Sequence, residues 1–101
     1  SYSVQNSNVV SLEFNIDFSN PENLKGTLEI SHRYKNICTQ QRSIDGSTFK
    51  NDELILIALP SEAQIAMNCS VNEFVGKKVG NKFIGKYTVG TQFTTDLTLE
   101  K

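Results

Sequence analysis

The chain has no tryptophan, one histidine, two prolines and two cysteines, and each scarcity closes a route. A lone histidine, His32, leaves one imidazole for acid–base work and no His-rich metal set. Two cysteines without Cys-x-x-Cys or His-x-x-x-His spacing cannot furnish a convincing metal centre. No stretch approaches the about 18 consecutive apolar residues of a membrane-spanning helix. No serine sits in a Gly-x-Ser-x-Gly elbow, and no Gly-rich phosphate loop precedes a helix. The acidic turns at Asp45 and Asp52-Glu53 lack EF-hand spacing, leaving at most a weak calcium contact. No enzyme activity, metal or cofactor is therefore expected. The chain opens on Ser1 without a charged-then-apolar leader and reads as a mature or excised domain.

A charge excess of either sign is also missing. Net charge is −1 over 101 residues, split into blocks of −3 (1–24), +3 (25–50), −4 (51–75) and +3 (76–101). Opposite blocks favour pairing between neighbouring strands. They argue against the uniform field that nucleic acid or an anionic membrane would require.

What the chain does have is period two. Val10, Leu12, Phe14, Ile16 and Phe18 alternate with Ser11, Glu13, Asn15 and Asp17, the pattern of a half-buried strand. Pro21 in Ser-Asn-Pro-Glu-Asn breaks it. Leu24, Gly26, Leu28 and Ile30 continue on one face, which puts His32 and Tyr34 inward as packing residues. Residues 44–52 read as a turn-rich link around Phe49. The apolar run Leu54 to Leu59 reads as a strand covered on both faces, ended by Pro60. Ala63, Ile65, Met67 and Cys69 suggest a further strand, with a helical turn after Ser61-Glu62 as the alternative. The stretch from Phe74 to Leu99 holds three Gly- and Asn-bounded runs. Among them Phe83, Gly85, Tyr87 and Val89, then Phe93, Thr95, Leu97 and Leu99, share inward faces.

The spacing predicts an all-β fold, a single antiparallel meander of about seven or eight short strands forming a small barrel or sandwich. Residues 1–8 read as a flexible segment ahead of one β domain over 9–101. A weak echo relates Ile44-x-Gly46 to Phe74-x-Gly76, each preceded by a cysteine; recurrent turn chemistry accounts for it. That echo makes Cys38 and Cys69 comparable in position, and a disulfide between them would constrain a loop of about 32 residues, about 3.7 kcal/mol by chain entropy. Such a bond suits an exported protein, periplasmic, cell-surface or secreted. Asn68-Cys69-Ser70 matches the N-glycosylation pattern by chance.

Lys77, Lys78, Lys82 and Lys86 form the main surface feature. They either guard exposed strands against edge pairing or meet an acidic partner. With the aromatics facing inward, no stacking platform for single-stranded nucleic acid assembles beside them. The leading expectation is a non-catalytic exported binding domain contacting a protein or glycan: an envelope or secretion component, an adhesin or an inhibitor-like protein. The alternative is a small barrel carrying an apolar ligand, lined by Phe14, Phe18, Leu28, Phe83 and Tyr87. An oligonucleotide binder using the lysine hairpin ranks below both.

Overall fold

The computed structural model describes residues 2–4, 10–32, 36–91 and 93–101. Within them eight strands succeed one another around a closed antiparallel barrel: β1 Tyr2–Val4, β2 Val10–Asp17, β3 Leu24–His32, β4 Arg42–Lys50, β5 Glu53–Leu59, β6 Asn72–Val79, β7 Lys82–Val89 and β8 Phe93–Glu100. A 3₁₀ turn, Ile37–Thr39, interrupts the β3–β4 connection, and a single helical turn, α1 Glu62–Ala66, lies between β5 and β6. The barrel closes where β1 pairs with β8, Ser3 opposite Glu100 and Val4 opposite Leu99. No edge is then left between first and last strands to recruit another chain.

Alternation becomes an interior. Leu12, Phe14, Leu24, Leu28, Ile44, Leu54, Leu56, Ala58, Phe74, Phe83, Tyr87 and Leu99 pack into one buried cluster. Burying a Phe or Leu side chain contributes roughly 1.5–3 kcal/mol, so this cluster is the main source of stability. The close fit shows at Gly76 and Gly85, which face each other across β6 and β7. A Cβ on Gly76 would fall 2.6 Å from the Phe74 ring, and one on Gly85 would fall 2.0 Å from the Val75 carbonyl oxygen. Gly76 leaves the space in which the Phe74 ring lies, and Gly85 lets the β6 and β7 backbones approach closely.

Several sequence expectations need correction. Tyr2–Val4 is not a loose leader: it is the strand that completes the barrel, with Tyr2 opposite Phe14. Its three residues are too few to show a periodic signal, and one of its two partners, β8, lies at the other end of the chain. The supposed link at 44–52 is mostly strand β4. Gly46, at φ +66°, carries a bulge between Ile44 and Thr48. The inward set therefore passes from Arg42 and Ile44 to Ser47 and Phe49, and a strict period of two fails across the bulge. The ladder gap is filled by Ser47, whose buried hydroxyl accepts from the Ile57 N–H at 2.8 Å.

The run Leu54–Leu59 is a strand, but only Leu54, Leu56 and Ala58 are buried; Ile55 and Ile57 are half-exposed on the outside. The expected strand from Ala63 is instead α1. Pro60 ends β5, and Ser61 and Gln64 then form a reciprocal capping box that starts a helix. Tyr34 lies outside the described residues, as do residues 5–8 of the expected flexible segment and the His32 side chain.

Candidate functional site

Antiparallel winding places chain-distant residues at two ends. One end gathers the turns after β2, β4 and β6. There four rings, Tyr2, Phe18, Phe49 and Phe83, meet edge to face in a closed cycle with centroids 5.2–6.1 Å apart. Such contacts add to simple area burial. The other end gathers the 3₁₀ turn, α1 and the β7–β8 turn, and it carries the polar chemistry of the molecule.

Three ties hold that second end shut. Cys38 and Cys69 form a disulfide, with Cα atoms 5.5 Å apart. Gln64, fully buried, accepts from the Ser61 N–H at 2.8 Å and donates through Nε2 to the carbonyls of Ile37 (2.8 Å) and Gln40 (3.3 Å). One amide thus caps α1 and binds it to the 3₁₀ turn. Arg42 supplies the third tie from inside the barrel. Its guanidinium donates to the Ser70 carbonyl and, at 3.1 Å, to the Cys38 carbonyl. These carbonyls lie at or beside the two bonded cysteines, so the arginine braces both arms of the bridge.

Beside Arg42 the interior wall turns polar. Asn72 Nδ2 donates to the Tyr87 hydroxyl oxygen at 2.5 Å. Burial pushes the Tyr87 phenol up to about 12, against weaker downward pulls from Arg42 and the Asn72 hydrogen bond. It is therefore neutral at physiological pH. Burial also draws the Arg42 guanidinium below its ordinary value, although an arginine remains charged. Arg42 Nε and Asn72 Oδ1 have no hydrogen-bond partner.

The rim outside this polar layer is apolar and exposed. Leu59 ends β5, Ile65 stands on α1, Met67 caps it, Val71 precedes β6 and Phe93 opens β8, so all five cluster at the same end. Ile65, Met67 and Phe93 are 59%, 62% and 55% exposed. The Gly90 N–H donates to the Val71 carbonyl at 2.9 Å, joining the β7–β8 turn to this rim. A groove of about 180 Å³ runs beside it, bordered by Thr27, Gln41, Ser43, Leu59, Pro60 and Ser61, with Arg42 also on its wall.

The residues singled out in the sequence separate accordingly. Phe14, Leu28, Phe83 and Tyr87 are buried in the interior and Phe18 is half-buried at the aromatic end; they pack against one another and their neighbours. The lysines lie on the outer wall. Lys82 pairs with Glu100 (2.8 Å), Lys86 with Asp96 (2.9 Å) and Lys77 with Glu53 (3.8 Å), each across a strand boundary. Lys78 makes no ion pair among the described residues. Lys77–Glu53 joins two opposite charge blocks, whereas Lys82–Glu100 and Lys86–Asp96 lie within the last block; together the three pairs thin the basic surface.

Asn68 sits in the turn after α1 at φ +59°, and its neighbour Cys69 is occupied by the disulfide. Among the described residues no group of three His, Cys, Asp or Glu side chains could hold a metal ion, and no helix is long and apolar enough to cross a membrane.

Gln64, Arg42 and Asn72 escaped the sequence reading. Signals for each were present: the Ser61-x-x-Gln64 box, Arg42 in phase with Ile44, and Asn72 in phase with Phe74. No family model, no curated protein and no solved structure matches this chain, whose fold rests on its own strand pairing: an eight-stranded, disulfide-capped antiparallel barrel.

Proposed function

We propose that the protein is a non-catalytic exported binding domain that docks a protein partner through the apolar rim of its disulfide-capped end. The observation that carries this reading is the contrast between that rim and the rest of the surface. Leu59, Ile65, Met67, Val71 and Phe93 are exposed at one end, five of the seven large exposed apolar side chains among the described residues, with Val79 and Ile84 standing apart on β6 and β7; of the hairpin lysines, Lys77, Lys82 and Lys86 are matched by acids on adjacent strands. Exposed apolar side chains gathered on a braced surface are a feature of contact sites. Ordering the rim with a disulfide and buried ties lowers the entropy that association would otherwise have to offset. A disulfide beneath the rim suits an oxidising compartment. The dense packing of the interior aromatics favours an external contact over an enclosed apolar cargo.

The test compares three forms of the protein as bait in native extract, followed by binding of the purified partner. Wild type and Lys82→Glu plus Lys86→Glu should retain the same partner with similar affinity. Ile65→Glu plus Met67→Glu should lose it by at least about tenfold, since two buried apolar contacts are worth more than 1.4 kcal/mol. Equal retention by the rim variant, with loss in the lysine variant, would move the contact to the basic wall. An unbonded cysteine pair in the protein taken from its native source would contradict export.

A further inference from the structure

We propose that the Cys38–Cys69 bond is a redox-active pair, opened and reclosed by a small organic dithiol, with Arg42 placed as the counter-ion of the thiolate that opening releases. The inference needs no partner at the rim and begins from charge. The chain has 11 acidic residues, all among those described, and none pairs with Arg42; the ion pairs among the described residues belong to Lys50, Lys77, Lys82 and Lys86. On the surrounding elements Glu29, Asp45 and Glu62 are exposed, and Glu73 alternates outward between the buried Asn72 and Phe74. Tyr87 keeps its proton and adds no charge. A buried cation without a counter-ion is costly, and an anion formed beside it recovers much of that cost.

Position ties that charge to the bridge. The guanidinium donates to the carbonyl of Cys38 itself at 3.1 Å and to that of Ser70, the residue after Cys69. These dipoles do not cancel its net charge. While the bond is closed neither sulfur is ionised; once it opens, one sulfur leaves as an anion within the field of Arg42. An arginine beside a cysteine favours the thiolate, and stabilising the reduced form makes a disulfide a stronger oxidant. Cys38 is only half-buried, whereas Cys69 is 9% exposed, so an incoming thiolate reaches the Cys38 sulfur first.

The exchange then follows. The reagent's thiolate bonds to the Cys38 sulfur, the Cys38–Cys69 bond breaks, and its electron pair leaves on Cys69 as a thiolate. The reagent's second thiol, its proton lost to water, attacks its own bonded sulfur and expels Cys38. The reagent ends as a cyclic disulfide and the protein has gained two electrons. Gln64 still joins α1 to the carbonyls of Ile37 and Gln40, which keeps the two arms close enough to reclose.

The test equilibrates the whole chain with mixtures of reduced and oxidised dithiothreitol, and reads the open fraction by mass after alkylation. At about pH 8.5, the ordinary thiol value, Arg42→Met should need about five- to tenfold more reduced reagent than wild type for half opening, the ratio for a thiol lowered by about one unit or slightly more. At about pH 6 the two should agree, because thiols with or without the cation are then protonated. Arg42→Lys, which keeps the charge, should follow the wild type. A brace with no electrostatic role predicts the opposite sign, easier opening of Arg42→Met at both pH values. That result, or equal ratios at both, overturns the proposal. Should Arg42→Met fail to fold, the reduced wild type decides alone. Ultraviolet thiolate absorbance should titrate below the ordinary range in a folded chain; titration within that range, or unfolding on reduction, overturns the proposal.

Discussion

The two ends of the barrel are closed by opposite chemistry. At one, Tyr2, Phe18, Phe49 and Phe83 lock edge to face. At the other, a disulfide, a capping glutamine and a buried arginine hold a 3₁₀ turn and a helical turn together. The apolar closure depends on area and shape, so its energy scales with the atoms removed. The polar closure depends on every donor and acceptor finding a partner, and a single deletion leaves the remainder exposed to the cost of desolvation. The apolar closure holds no redox-active pair, whereas the polar closure carries both the disulfide and a buried phenol that keeps its proton.

The largest effect should come from breaking the aromatic cycle. Phe83→Ala removes a buried ring shared by Tyr2 and Phe49 and should lower stability by about 3–5 kcal/mol, measured by urea unfolding. The loss should be the same under oxidising and reducing conditions. Cutting the bridge with Cys38→Ala plus Cys69→Ala should cost about 3–4 kcal/mol, and reduction of the wild type should match it. A double variant as stable as wild type would mean that Gln64 and Arg42 alone secure the capped end.

Alkali should separate the two ends next. Tyr87 has a folded value of about 12 against about 10 when unfolded. The folded state thus keeps a proton that the unfolded state releases, and stability falls as pH rises from about 10 to 12, by up to about 2–3 kcal/mol. Tyr87→Phe should flatten that part of the profile. Phe83→Ala should lower the whole profile and leave its alkaline slope in place; an unchanged slope in Tyr87→Phe would assign the loss to another group. The smallest effect should follow Gln64→Ala, about 1–3 kcal/mol from the stranded carbonyls of Ile37 and Gln40 and the uncapped Ser61 N–H. Its amide exchange should quicken over α1 and the 3₁₀ turn before it does in β2 and β3.

The barrel wall was legible because its strands carry their own periodic record. Val10–Phe18, Leu24–Ile30 and the three strands after Val71 were readable as alternation with turn residues between. Legibility failed where local chemistry and pairing disagreed with that period. Gly46 shifts β4 by a bulge, so Phe49 was read as part of a link. Ala63, Ile65 and Met67 mimic a strand face while the Ser61–Gln64 box nucleates a helix. Tyr2–Val4 has too little pattern of its own and is a strand only because β2 and β8 flank it. At the capped end the cysteine pairing was readable from position, whereas the roles of Arg42 and Asn72 were not. Polar residues in phase with an apolar face ordinarily mark a strand end, and only their surroundings reveal burial.

Side-chain periodicity and turn chemistry, both local, determined by themselves that this chain forms a β meander with Phe14, Leu28, Phe83 and Tyr87 inward. Only the tertiary structure decided that the meander closes through β1, that Lys77, Lys82 and Lys86 are matched across strands, and that Arg42, Asn72 and Tyr87 are buried at the capped end. Those outcomes depend on contacts between residues tens of positions apart, and such contacts form only once strand order, register and the bulge in β4 bring them into one layer of the barrel.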